Sequence, residues 1–253
     1  VQTLFISTGH ADSVPCVYNI TGREKAVCVI VHGFGSSKTS PTAAMMLTEL
    51  PPLGVGAIAF DFPAHGESKT GGESLRIANC LTALAAAETR ARTLAPTAEI
   101  VYFASSFGAY ITLIYLTGQK QSRRRAFLRS AAVTMPQVVK GLQTQAEKAL
   151  LEKTGEILLS QENYGYELKL TQGFFDDLEN HDVFTLWRKG LAELHMVHGQ
   201  SDQTIPLRDA RSFADRFHVP LTVVPGGDHR LSIPGAPERV LQLAATFFLG
   251  WRC

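Results

Sequence analysis

A serine at position 106 closes an apolar, β-prone run and is followed at once by helical text: E-I-V-Y-F-A-S-S-F-G-A-Y-I-T-L-I-Y-L. The spacing predicts a strand, a sharp turn with Ser106 at its apex, and a helix. Small residues two places before, Ala104, and two places after, Gly108, let strand and helix pack beneath the turn while the hydroxyl stands clear of the sheet. A serine hydroxyl is a poor nucleophile near neutral pH and needs a base within hydrogen-bond reach. His229, in V-V-P-G-G-D-H-R, is the best-placed imidazole, since imidazoles take up and return protons near pH ~6.5. Such a ring must be held in one tautomer, which a carboxylate on its other nitrogen achieves. Asp202, in H-G-Q-S-D-Q-T-I-P, is the natural partner. Asp228 competes for the role, but a sequence neighbour of the histidine usually points elsewhere, and Asp176, Asp177 and Asp182 sit in helix-like surface text.

Attack on an ester carbonyl creates an oxyanion, which needs preorganised donors, each worth roughly 2.7–4 kcal/mol in other enzymes. The backbone amides of Phe34, in H-G-F-G, and of Phe107, after the serine, can supply two. Gly33 and Gly35 give that loop its tight turn and close approach. His32, His65 and His198 read as orienting hydrogen-bonders, and His10, His181, His195 and His218 have no constellation around them.

For these groups to meet, they must share one end of a sheet, and catalytic groups of open parallel sheets gather at the carboxyl ends of the strands. Period and punctuation place short strands at 4–6 and 17–20 as a leading hairpin, then a buried strand at 26–31. A helix at 41–50 precedes the strand V-G-A-I-A-F-D, and an Ala-rich helix at 74–94 precedes a strand at 100–104. The helix after Ser106 runs to 116, and A-A-V-T-M is the next strand. From 136 to 180 the alternation breaks, as expected of an insertion rather than a second domain. It returns with a helix at 183–189, a strand at 194–197, a helix at 207–217, a strand at 221–224 and a closing helix at 237–248. Near-continuous β-rich runs separated by helices predict one α/β domain: a mostly parallel sheet of about eight strands covered by helices on both faces.

A chain of 253 residues, 45% hydrophobic and 19% charged, buries enough surface to need no disulfide or metal staple. With 24 basic against 23 acidic residues it lacks the basic face a nucleic acid demands. The run Arg123-Arg124-Arg125 reads as a solvated helix end. Cys16, Cys28, Cys80 and Cys253 lie far apart without C-x-x-C, as small apolar fillers rather than a disulfide framework. No apolar run approaches the roughly 18 residues of a membrane span, and V-Q-T-L-F-I-S lacks a signal-peptide pattern. The chain therefore reads as cytoplasmic, with a processed secreted form starting at Val1 as the alternative. Its expected partner is a small-molecule ester, without nucleic acid or membrane, and a homodimer stays open.

The sequence resembles the α/β-hydrolase superfamily through H-G-F-G-S-S-K, D-F-P-A-H-G-E-S, A-S-S-F-G-A, H-G-Q-S-D-Q-T-I-P and G-G-D-H, with serine, aspartate and histidine in that family's order. Within it, the first two motifs and the ending G-F-F-D-D-L-E-N-H-D resemble small bacterial cinnamoyl or feruloyl esterases. That resemblance implies Ser106, Asp202 and His229 as a triad, Phe34 and Phe107 as oxyanion donors, and a cap formed by residues 136–180 over an acyl pocket. It implies no metal or organic cofactor. Ala104 stands where glycine is commoner, Ser105 is an extra hydroxyl lacking a glycine two places later, and Pro63-Ala64 replaces a frequent Arg-Gly. None of these removes a catalytic group.

Tyr164, Tyr166, Phe174 and Phe175 offer walls for a flat aromatic acyl group, against the alternative that they pack the cap on the sheet. Gln145 and Tyr166 are placed to bond a phenolic hydroxyl. The expected activity is hydrolysis of carboxylic esters, hydroxycinnamates or other small acyl esters, through an acyl-serine. The alternatives are a thioesterase or small lipase on aliphatic chains, and a silent hydrolase fold used for binding. An aspartate nucleophile is disfavoured by serine at the turn.

Overall fold

Strands that lie between two helical layers have no polar face, and A-V-C-V-I-V and V-G-A-I-A-F are apolar at every position. In a computed structural model, which describes residues 1–8, 13–119, 124–159 and 168–250, these are β3 (Ala26–Val31) and β4 (Val55–Phe60), buried throughout. They are joined by β1 (Gln2–Ser7), β2 (Ser13–Asn19), β5 (Glu99–Ser105), β6 (Arg125–Arg129), β9 (Glu193–Gly199) and β10 (Leu221–Val224). Among the described residues the sheet has eight strands in the order β1-β2-β4-β3-β5-β6-β9-β10. The leading hairpin β1–β2 and its contact with β4 are antiparallel, and the other pairings are parallel. A separate antiparallel pair, β7 (Glu156–Leu159) and β8 (Leu168–Thr171), lies in the segment where the alternation breaks.

Side chains alternate across the sheet, so each strand feeds two cores. Cys28, Ile30, Phe103, Phe127 and Val197 face α1 (Pro41–Glu49) and the closing helix Ala236–Leu249. Val27, Val29, Tyr102, Leu128 and Met196 face α2 (Ile77–Leu94), α3 (Phe107–Thr117) and the helix Leu207–Phe217. Between β6 and β9 come α4 (Met135–Leu142), α5 (Gln145–Thr154), α6 (Gln172–Glu179) and α7 (Val183–Leu186), which make the helices after them α8 and α9. Cys16, Cys28 and Cys80 are free and buried, and burial raises the Cys16 thiol to about 12. No described helix is long and apolar enough to cross a membrane.

Two expectations need correction. The strand before the broken segment is R-A-F-L-R, not A-A-V-T-M: Ala131 to Thr134 form a buried turn entered through Ser130 at φ 48°. The basic run is not a solvated helix end, for Arg125 opens β6 and Arg124 is buried; Arg123 lies outside the described residues. A flanking arginine on each side of a three-residue apolar run disguised the strand.

Arg124 donates to Glu88 at 2.8 Å and to the Tyr102 hydroxyl. The same Glu88 oxygen accepts from Tyr102 at 2.6 Å and Tyr115 at 2.7 Å, while Arg92 holds the other. Burial alone would raise the Glu88 carboxyl, but these donors outweigh it and hold it at about 2. Its contribution to stability is therefore whole above the ordinary carboxylate range and is lost as pH falls toward 2. Glu88→Ala leaves a buried guanidinium without its counter-charge and two hydroxyls without their acceptor, and urea titration at pH 7 should show a loss of about 3–5 kcal/mol.

Candidate active site

β5 runs directly into Ser106, whose φ of 51° and ψ of −116° are strained for a residue with a side chain. Its amide donates to the Arg129 carbonyl at 2.9 Å, and its carbonyl accepts the amides of Ala109, Tyr110 and Ala132. Gly108 is required two residues on, because a Cβ there would press into the carbonyl oxygens of Val31 and His32. Ala104 fits with no exposed surface, so the departure from glycine is absorbed.

The structure brings Ser106, His229 and Asp202 together from three loops at the carboxyl ends of β5, β10 and β9. His229 Nε2 lies 3.1 Å from Ser106 Oγ, and its Nδ1 lies 2.8 Å from Asp202 Oδ2. The other Asp202 oxygen accepts the amides of Thr204 and Ile205 at 2.9 and 2.8 Å. Burial would raise this carboxyl, but hydrogen bonds from His198, His229 and Ile205 hold it far below the usual carboxylate range. Asp228 turns away to the amide and hydroxyl of Ser232, both at 2.7 Å. Arg129, whose carbonyl receives the Ser106 amide, sends its guanidinium to the Arg230 carbonyl at 3.0 Å and to Thr42 at 2.9 Å. It thereby ties the histidine loop to the serine turn.

Phe107 opens α3, and Phe34 lies in the loop after β3 beside Gly33, where a Cβ would stand 3.3 Å from the Ser106 Cβ. The Phe34 and Phe107 rings meet edge-on at 5.7 Å. Two buried imidazoles hold this loop. His32 Nε2 accepts the Phe62 amide at 3.1 Å and its Nδ1 donates to the Gly33 carbonyl at 2.7 Å. His65 Nε2 accepts the Gly35 amide at 3.1 Å and its Nδ1 donates to the Pro63 carbonyl at 2.8 Å. Each ring is thus the Nδ1–H tautomer, and a second proton would set N–H against N–H. Burial lowers His32 to about 4 and His65 to about 3.

Several contributors escaped the sequence reading. Asp61 accepts the Lys38 amide and ammonium at 2.7 and 2.8 Å and the Glu67 amide at 2.9 Å, welding H-G-F-G-S-S-K to D-F-P-A-H-G-E-S. A lone carboxylate at the end of an all-apolar strand was the available signal. Asp177 is not idle surface text: it pairs with both Arg76 nitrogens at 2.7 and 2.8 Å and accepts the Ile77 amide at 3.1 Å, capping α2 from a hundred residues away.

A cavity of about 670 Å³ opens beside Ser106 and His229, walled by Met135, Val138, Val139, Ile157, Leu159 and Leu170, with Gln143 and Glu147 as polar members. Gln145 is exposed and not among its lining residues. T-Q-A-E is a capping box in which Thr144 and Glu147 bond each other's backbone, and this fixes where α5 begins. Phe174 and Phe175 are buried and do not line the cavity; Phe174 stacks on Phe34 at 5.9 Å and meets Phe107 edge-on at 6.1 Å. They pack segment on sheet, the alternative reading. Tyr164 and Tyr166 lie outside the described residues.

The model of the alpha/beta hydrolase family matches residues 28–243. A putative hydrolase from Agrobacterium vitis S4 superposes with a TM-score of 0.80 at 22% identity over 98% of both chains. Est1E from Butyrivibrio proteoclasticus, solved with ferulic acid bound, gives 0.81 at 18% identity over 98% of both chains. Mouse alpha/beta hydrolase domain-containing protein 10 gives 0.78 at 16% over 100% of both. At such identities the likeness is one of fold. No curated protein matches the sequence.

The two neutral imidazoles make stability pH-dependent. An unfolded chain takes up protons on them below pH ~6.5 while the folded chain does not until about 4 and about 3, so stability is whole above ~6.5 and falls below it. The slope is roughly 1.4 kcal/mol per pH unit for each ring. In His65→Gln, whose amide can make both hydrogen bonds, urea midpoints measured from pH 7 to 5 should fall less steeply than in the unaltered protein.

Proposed function

The chain belongs to the alpha/beta hydrolase family, and from that premise we propose that it hydrolyses carboxylic esters through an acyl-serine on Ser106. The observation that carries this is the continuous path from Ser106 Oγ through His229 to Asp202, at 3.1 and 2.8 Å. Ser106 Oγ attacks the ester carbonyl as His229 Nε2 takes its proton, and Asp202 stabilises the imidazolium. The amides of Phe34 and Phe107 receive the oxyanion. His229 passes the proton to the departing alkoxide, and a water activated by the same ring releases the acid. All the proton traffic is handled by this chain's own groups, so the reading calls for no cofactor.

In this reading the segment 136–180 acts as a cap, and the cavity beside Ser106 takes the acyl group. Hydroxycinnamate is the acyl class favoured by the motif wording and by the fold likeness to Est1E, which was solved with ferulic acid. A second reading, an aliphatic acyl chain, is favoured by the aliphatic side chains on the described wall.

Ser106→Ala should abolish turnover of short nitrophenyl esters while circular dichroism stays unchanged; retention of most activity ends the serine mechanism. On a panel with one leaving group, hydroxycinnamate esters should match or exceed butyrate through octanoate in kcat/KM. A preference of roughly tenfold or more for the aliphatic esters selects the second reading.

A further inference from the structure

Asp202 is gripped by two imidazoles, and the second has no part in the scheme above. His198, near the end of β9, is fully buried and stands four residues before Asp202. Its Nε2 lies 2.9 Å from the Ile205 carbonyl and 3.2 Å from Asp202 Oδ2, the oxygen that His229 also uses. Both neighbours are acceptors, so Nε2 carries the hydrogen and shares it between them. Nδ1 is then the bare nitrogen, buried with no hydrogen-bond partner. Ile205 closes the ring by donating its own amide to Asp202 Oδ1 at 2.8 Å.

We infer that His198 is a positioning residue that locks the Asp202 carboxylate and draws off part of the charge that Oδ2 presents to His229. The inference rests, for its rate measurements, on the proposed serine mechanism. With Oδ1 bound by two backbone amides and Oδ2 by two rings, the carboxylate cannot rotate without giving up a bond at each oxygen. A donor on Oδ2 also takes up part of the negative charge that this oxygen turns toward His229 Nδ1. Among the described residues, Asp228 and Arg230 flank His229 on its own loop, Glu147 faces it across the cavity from α5, and Arg129 reaches the loop from β6 with its guanidinium on the Arg230 carbonyl; Asp228 is engaged with Ser232.

Removing the His198 donor should concentrate charge on His229. In His198→Leu, kcat should fall roughly tenfold with KM within about twofold, a size typical of outer hydrogen-bond partners at histidine sites. The acid limb of kcat/KM should move up by about half a pH unit or more. His198→Gln, which keeps an N–H donor, should return the limb toward its original position. A limb that superimposes in the leucine variant and the unaltered protein overturns the inference. Nitrogen-15 NMR of the unaltered protein provides an arm independent of turnover and of any variant's folding: His198 should report hydrogen on Nε2, and hydrogen on Nδ1 overturns the assignment. Failure of the unaltered protein to cleave any ester would count against the hydrolytic reading, and the tautomer would still decide this one.

Discussion

A residue with a Cβ at φ 51° stores about 1–3 kcal/mol of backbone strain, and the carboxyl edge of the sheet is organised around holding Ser106 there. Its amide is taken by Arg129 on β6, and its carbonyl by three amides from α3 and the turn after β6. The helix that follows is pressed so close to β3 that position 108 admits no side chain. Strain at one residue is thus distributed over β3, β5, β6 and α3. The hydroxyl's direction is a property of the whole central sheet.

Around this point the electrostatics divide into two zones. On the side of Asp202, a buried negative charge is surrounded by four donors and stays ionised. On the side of the H-G-F-G loop, the imidazoles of His32 and His65 are kept neutral, and Lys38, a buried cation nearby, is paired with Asp61 and Glu67.

Much of this was legible because Ser106 directly follows an apolar run and Asp202 and His229 stand in the short loops after two others, and period alone locates the ends of such runs. Ser106, His229 and Asp202 announce themselves as polar punctuation after buried strands, and α8 and β10 fall at the expected residues. What stayed hidden depends on partners far along the chain. Arg124 looked like solvated text until Glu88, 36 residues earlier, was brought beside it. Asp177 looked like a surface helix until Arg76 met it across 101 residues. The pocket reading failed at Gln145 because the mixed periodicity of that segment does not say where a helix begins, and so which of its faces looks inward. It failed at Phe174 because aromatic text does not say whether a ring faces a cavity or another ring.

Arg129 does two jobs from one position: its carbonyl receives the Ser106 amide, and its guanidinium grips the Arg230 carbonyl beside His229. Ser106 and His229 are consequently fastened to a common post. A displacement of β6 carries hydroxyl and imidazole together, so the 3.1 Å between them is set by one residue and not by two independent loops.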